Sequence, residues 1–313
     1  MSDHELKPTI DALIEQEGLP SNYAATVEQT ILPLVEHIVS LRKAKGRTIV
    51  VGVHGAQGTG KSTLVLFLTK LLCDHWNCPT ASFSLDDIYL TRAERQVLAE
   101  QVHPLFITRG VPGTHDVKLG EGVIDQLRHA GPGDKTPIPA FDKSHDDRLS
   151  MSEWPVFEGR AEVILVEGWC LGALPEDDSA LVAPLNKLEA EEDPAGVWRR
   201  YVNQCLKSTY QDFFSALDGL IMLQAPSLER VLEWRTLQEH KLAKKTGSAP
   251  IEGNADMAAR DLRIMSDQEV IRFVMHYERV TRSCLQKLPD RADALIQVSG
   301  DHSLSSPHFC TTT

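Results

Sequence analysis

The chain has 313 residues, 42% of them apolar, with 44 acidic side chains against 32 lysines and arginines and a net charge of −12. That supply of apolar side chains is ample for a core, and the acidic balance argues against a non-specific nucleic-acid binder, which needs a basic surface. No apolar run reaches membrane-spanning length, and six scattered cysteines form no CxxC pair; the expectation is free thiols in a reducing, cytoplasmic setting without a zinc site or a membrane partner.

Residues 1–46 read as a helical N-terminal extension that opens polar and acidic, with no signal-peptide core. Ile31, Leu34, Val35, Ile38 and Leu41 fall on one helical face. Residues 48–53 form a short apolar run rich in β-branched side chains, as in a strand buried on both faces. The run GVHGAQGTGKST follows and fits G-x-x-x-x-G-K-[ST] at Gly55, Gly60, Lys61 and Ser62. Leu64, Phe67, Leu68 and Leu71 then recur at helical spacing. Strand, glycine loop and helix together make a nest for phosphate oxygens. Its members are Gly55, Ala56, Gln57, Gly58, Thr59, Gly60, Lys61, Ser62 and Thr63. Lys61 is expected to reach the terminal phosphates and the Ser62 hydroxyl to ligate Mg²⁺, with the positive end of the helix aimed at the same charge.

Four more strands are predicted at 80–85, 162–167, 219–224 and 293–298, alternating with helical patterns. The fold class is α/β: a three-layer sandwich around a mainly parallel sheet of five strands or slightly more. Two of these strands end in acids, Asp86-Asp87 and Glu167-Gly168, and ligands of open parallel sheets bind beyond such ends. Asp86 is expected to take the proton of an attacking hydroxyl, and Glu167 to hold Mg²⁺ with Ser62, directly or through water. Asp87 could serve in either role, and the sequence leaves that open. Acceptor loops are expected at about 103–150. One carries Arg109, His115 and Asp116; the other carries Asp142, Lys143, His145 and Arg148. Arg109, Lys143 and Arg148 suit a small anion, whereas His115 and His145 read as hydrogen-bonding or structural residues.

The acidic, proline-marked stretch from 175 to about 215 reads as a surface insertion. From Ser227 an increasingly basic helix runs to a break at 247–250, a lid over about 227–250. Arg235, beside Trp234, ranks ahead of Lys241, Lys244 and Lys245 as the cation for a transferring phosphate. A second helix opens at Ser266 with Glu269 completing a capping box, and Val270, Phe273, Val274 and Tyr277 share one face. The loop from Val298 to His302 borders an adenine or is a plain surface turn. Residues 47–313 thus read as one domain with insertions and a lid.

The segments GVHGAQGTGKST, SLDDIYLT, RGVPGTHD, PAFDKSHDDR, SEWPVFEGRAEVILVEGW and EWRTLQE occur in this order across most of 48–298. Together they resemble the D-glycerate 3-kinase family of P-loop kinases, a group related to uridine, pantothenate and phosphoribulose kinases. The resemblance implies a P-loop NTPase fold, ATP and Mg²⁺ as cofactors, and nucleotide contact from Gly55 to Thr63. It implies Lys61, Asp86, Glu167 and Arg235 as catalytic residues. It places Asp86, Tyr89, Arg109, His115, Asp142, Lys143 and Arg148 around the acceptor: the loop RGVPGTHD resembles the glycerate-kinase loop and makes Arg109 and His115 candidates, and Pro139, Phe141, Asp142, His145 and Arg148 resemble the uridine-kinase Pro-x-Tyr-Asp pattern followed by His and Arg. The stretch after Asp142 is shorter than in the plant-type enzymes, and the His276 to Val280 stretch replaces a more proline-marked pattern. The expected reaction moves the γ-phosphate of ATP to a hydroxyl of a small anionic acceptor, first of all D-glycerate to 3-phosphoglycerate. The alternatives are a sister kinase for a nucleoside, pantothenate-like or sugar-phosphate acceptor, and a non-catalytic ATP-binding switch. Oligomeric state is left open.

Overall fold

The structure, a computed structural model, describes residues 3–246 and 265–310. The chain begins with α1 (Asp3–Gln16), α2 (Tyr23–Thr26) and α3 (Leu32–Lys45), then β1 (Ile49–Gly55), α4 (Lys61–Trp76) and β2 (Thr80–Ser84). Next come α5 (Arg92–Gln101), α6 (Val117–His129) and four short strands, β3 (Lys135–Pro137), β4 (Phe141–Asp142), β5 (Asp147–Arg148) and β6 (Val156–Glu158). After β7 (Val163–Gly168) follow α7 (Lys187–Glu192), α8 (Val197–Lys207), α9 (Thr209–Phe214) and β8 (Gly219–Gln224). The last elements are α10 (Leu228–Thr246), α11 (Asp267–Lys287), β9 (Ala294–Gln297) and β10 (His308–Phe309).

The main sheet has six strands in the order β10-β9-β8-β1-β7-β2. Five of its strands, β9, β8, β1, β7 and the edge strand β2, are parallel, and β10 adds an antiparallel edge to β9. The five predicted strands are all present within a residue or two; the sixth is two residues long, too short to leave a periodic signal. Register does the functional work. Val53 of β1 lies opposite Glu167 of β7, and Glu167 lies opposite Ser84 of β2, so three carboxyl ends open side by side.

Alternation along the strands divides the core into two layers. Val51, Val53, Leu165, Ile221 and Leu223 face Ile31, Leu34, Val35, Ile38, Leu64, Phe67 and Leu68. The N-terminal helices therefore build a layer of the sandwich together with α4. Val50, Ile164, Val166, Leu220 and Met222 face Ile124, Leu127, Trp198, Val202, Leu206 and Phe213. The stretch expected as a surface insertion thus contributes α8 and α9 to this second layer. Two of its acids are not solvated either: Glu189 and Asp193 are buried, paired with Arg279 and Arg199, whereas Asp178, Glu191 and Glu192 are exposed. An acid-rich composition reads as surface only while its ion-pair partners are unknown.

The break at 247–250 lies outside the described residues, as do the side chains of Lys244 and Lys245. The capping box at the start of α11 is present, with Ser266 and Glu269 exchanging hydrogen bonds. Among the described residues, no helix is long and apolar enough to cross a membrane. All six cysteines are free thiols.

Candidate active site

The loop leaving β1 is closed by its own side chains. Thr59 Oγ1 donates to the Ala56 carbonyl at 2.8 Å, and a Cβ at Gly55 would sit 2.4 Å from that same oxygen, so position 55 admits no side chain. Gly58 and Gly60 take φ of +82° and +87°, the left-handed region that glycine enters without cost. Gly60 is the N-cap of the 16-residue α4 and no side chain caps it, which leaves the first-turn amides available to an anion.

Below this turn, Ser62 Oγ donates to Glu167 Oε1 at 2.6 Å, and Lys61 Nζ lies 3.8 Å from Glu167 Oε2. That Oε2 is buried and accepts no hydrogen bond. A buried carboxylate oxygen without a donor, beside a hydroxyl, is the donor set of a hard divalent cation such as Mg²⁺. Among the described residues, no three histidines, cysteines or acids cluster as metal ligands. An ion here would take its remaining oxygens from phosphate and water, as Mg²⁺ commonly does.

Trp234 of α10 closes the other side of the loop. It is buried, and a Cβ on Gly58 would come within 2.9 Å of its Cβ. His302 lies over the Trp234 ring at 4.6 Å, with its Nδ1 3.2 Å from the Gly58 carbonyl. The loop after β9 is thus tied to both the phosphate loop and α10.

Asp86 and Asp87 occupy a 3-10 turn, Leu85–Ile88, that continues from β2. Ser84 Oγ accepts the Asp86 N–H and Asp87 Oδ2 accepts the Ser84 N–H at 2.8 Å, a capping box that engages Asp87 in the turn. The Ser-x-x-Asp spacing is a sequence signal for this. Asp86 is the acid left to face the cleft: Tyr89 OH donates to its Oδ1 at 2.7 Å and Lys143 Nζ to its Oδ2 at 2.6 Å. Burial pushes the Asp86 carboxyl upward, but Lys143, Lys61 and the two hydrogen bonds outweigh it and bring the pKa down to about 2. Burial pushes Asp87 up to about 6 against the opposing bond from the Ser84 amide. Two adjacent carboxyls are driven apart, with Asp86 held ionised as a pure acceptor.

Around Asp86 the acceptor loops are knitted by charge. Arg109 pairs with Asp146 and lies over the Phe141 ring at 5.4 Å. Arg148, expected on the anion, is occupied by Asp116 at 3.2 Å and Glu94 at 3.7 Å. Asp142 caps its own turn, accepting from the Ser144 amide at 2.8 Å and hydroxyl at 2.6 Å, with His145 Nδ1 on its other oxygen. His115 stacks on Tyr89 at 4.8 Å, with Nδ1 2.5 Å from Tyr210 OH. Tyr210 OH also accepts the Gly113 N–H at 3.0 Å. Burial lowers His115 to about 4, so it stands neutral behind Tyr89 as a wall, not as an anion-binding cation. Of the loop cations, Lys143 is the one that reaches Asp86.

Two contributors were missed in the sequence. Arg95 of α5 is fully buried and bonds the carbonyls of Leu90, Ile107 and Asp146 as well as the Asp146 carboxylate, cross-tying both loops. Tyr277 of α11 donates to the Arg109 carbonyl at 3.0 Å and packs edge-on against Trp169, whose Nε1 bonds the Gly110 carbonyl at 2.9 Å. Gly110 has φ +128°, and a Cβ there would lie 1.9 Å from Tyr277 OH. After burial, the charges of Asp86, Arg109 and Arg235 act most on the Tyr277 phenol, which places it among the residues expected around the acceptor. Its residue type gave no signal, because it lies in a row of apolar positions on one helix face. Arg235 itself is held between Glu239 at 2.5 Å and the Phe273 ring at 5.4 Å, largely out of water.

Strand, glycine loop, uncapped helix and an acid on the neighbouring strand define a P-loop nucleotide site. No family model matches the chain. It is 32% identical over 260 residues to an uncharacterized kinase of Schizosaccharomyces pombe, mug58, covering 81% of this chain and 87% of that one. It is also 32% identical over 237 residues to the chloroplastic D-glycerate 3-kinase of Arabidopsis thaliana, covering 73% of this chain and 46% of that relative, about half its length. A D-glycerate 3-kinase from Cryptococcus neoformans shares the fold, with a TM-score of 0.69 at 23% identity over 90% of this chain and 99% of that one. The chain belongs to the D-glycerate 3-kinase-type family of P-loop kinases.

Proposed function

We infer that the chain is an ATP-dependent kinase whose acceptor is a small hydroxylated anion, with D-glycerate as the first choice. The observation that carries this reading is the pair of Asp86 and Lys143 at 2.6 Å, beside the phosphate loop and on the acceptor side of the cleft. An ionised acid next to a cation is what a hydroxy acid needs: one group for its hydroxyl proton, another for its carboxylate. The name of the Arabidopsis relative supports glycerate itself.

In this reading the amides from Gly55 to Thr63 and the Lys61 ammonium hold the polyphosphate. Ser62 and Glu167 would hold magnesium, which when bound offsets charge on the phosphate oxygens. Asp86 orients the acceptor hydroxyl and takes its proton. That oxygen bonds to the terminal phosphorus while the bond from phosphorus to the bridging oxygen breaks, and the electron pair leaves with the diphosphate. Lys61 and Arg235 offset the charge in transfer. Tyr277 and Tyr89 shape the acceptor wall.

The test is an acceptor panel of hydroxy acids, nucleosides, pantothenate and sugar phosphates, read as ADP release with product identification by mass and NMR. The expected result is ADP formation stimulated by D-glycerate and a single ester at its 3-hydroxyl. ADP release unaffected by every acceptor would instead indicate a nucleotide switch.

A further inference from the structure

We propose that Lys143 masks the Asp86 carboxylate until an anionic acceptor draws its ammonium away, so that the charge of the acceptor arms the base. This rests on the reading of Asp86 as proton acceptor, and it names what the same site selects for.

Each oxygen of Asp86 already carries a donor, Tyr89 OH on Oδ1 and Lys143 Nζ on Oδ2. Each oxygen keeps a second lone pair, but an ammonium at 2.6 Å makes its carboxylate the weaker base, so the base strengthens when that donor leaves. The two donors differ in freedom. Tyr89 is buried, stacked on His115 and set edge-on to Phe141. Lys143 lies between the short strands β4 and β5 with 59% of its side chain exposed, on a four-carbon stem that can swing without moving the backbone. Asp86 itself stays fixed, because the capping box locks its turn.

The neighbouring cations are already engaged. Arg109 holds Asp146, and Arg148 holds Asp116 and Glu94. Lys143 is therefore the loop cation whose acid partner is the base. A carboxylate entering the cleft presents the same kind of oxygen as Asp86 and competes for Nζ. A neutral alcohol, or water, presents none and meets a base still weakened by the ammonium. Discrimination then comes from unequal arming of the base as well as from binding. Water is the most abundant neutral nucleophile in the cleft, so the same contact restrains wasteful hydrolysis of the nucleotide.

The experiment compares the full chain with Lys143→Met and with the double variant Asp86→Asn/Lys143→Met. Each is assayed with MgATP and D-glycerate, with glycerol as the neutral counterpart, and with no acceptor. For Lys143→Met, kcat/KM on D-glycerate should fall roughly 30-fold, while turnover of glycerol and acceptor-free hydrolysis should both rise about tenfold. Both gains should vanish in the double variant. Equal losses in all three assays, or acceptor-free hydrolysis that does not rise, would overturn the masking role. An unmodified chain that fails to phosphorylate D-glycerate overturns the acceptor assignment instead, and the acceptor-free assay still decides whether Lys143 masks the base.

Discussion

The nucleotide side and the acceptor side of this cleft are built on different principles. On the nucleotide side, nine consecutive residues fix the geometry locally: Gly58 and Gly60 in left-handed conformations, the Thr59 hydroxyl closing the loop, Gly60 leaving α4 uncapped. On the acceptor side, the surface is assembled from segments far apart in sequence. Arg109 meets Asp146, Arg148 meets Asp116, Lys143 meets Asp86 and Tyr277 meets Arg109. A phosphate cradle serves any nucleotide and tolerates a fixed local device. An acceptor pocket has to be specific, and its specificity is set by tertiary contacts that vary independently.

Substitutions on the two sides should therefore fail differently. On the nucleotide side the effect should fall on metal use. Glu167→Gln removes the charge opposite Ser62 and Lys61, and turnover should drop about 100-fold or more with a higher Mg²⁺ requirement. A Mg²⁺ titration of steady-state ADP formation checks it; an unchanged Mg²⁺ dependence would separate Glu167 from the metal. On the acceptor side, Arg95→Met leaves Asp146 and three carbonyls without their buried donor. It should cost about 3 kcal/mol of stability, discounted for the partial exposure of Asp146, and raise the acceptor KM while nucleotide affinity holds. Denaturant melts with both titrations would expose a common loss on the two ligands, which would show that the sides are not separable.

The sequence was most informative where structure is local. Five strands, the phosphate loop, the Ser266 capping box and the acid-ended strands follow from periodicity and short motifs. It was least informative where a role depends on a distant partner. Arg148 looked as available for an anion as Lys143, because nothing near it announces Asp116 or Glu94. The resemblance put His115 near the acceptor while its residue type read as hydrogen-bonding or structural, and the structure buries it neutral beside Tyr210. Tyr277 is indistinguishable from the core residues that share its helix face. Asp87 was the exception, since Ser84 three residues earlier already marks it as a cap.

Acid should weaken both sides together. His54 and His115, one under each side, have pKa values lowered by burial from 6.5 to about 4. Below pH 6.5 the unfolded chain binds their protons first, so their contribution to stability is lost as pH falls from about 6.5 to 4. Asp87, raised to about 6, works the other way, since the folded form gains its proton first. His37 and His276, also lowered by burial, act in the same direction as the two rings, so stability should fall by pH 5, readable in urea melts across pH. Stability that rises on acidification would show that these rings are not held neutral.

The smallest effect is the most selective. Tyr277→Phe deletes one hydroxyl and its bond to the Arg109 carbonyl. The acceptor KM should rise about fivefold, near 1 kcal/mol, with kcat and nucleotide affinity retained. A change in nucleotide affinity instead would move Tyr277 out of the acceptor wall.

The most direct measurement is Asp86→Asn in two assays on one preparation: equilibrium binding of MgATP and single-turnover phosphate transfer to D-glycerate. Nucleotide affinity should stay within a few-fold while transfer slows on the order of a thousandfold, because the cradle is intact and the proton has nowhere to go. Transfer at the unsubstituted rate would show that the acid beside β2 is not the base and that the acceptor hydroxyl is activated elsewhere.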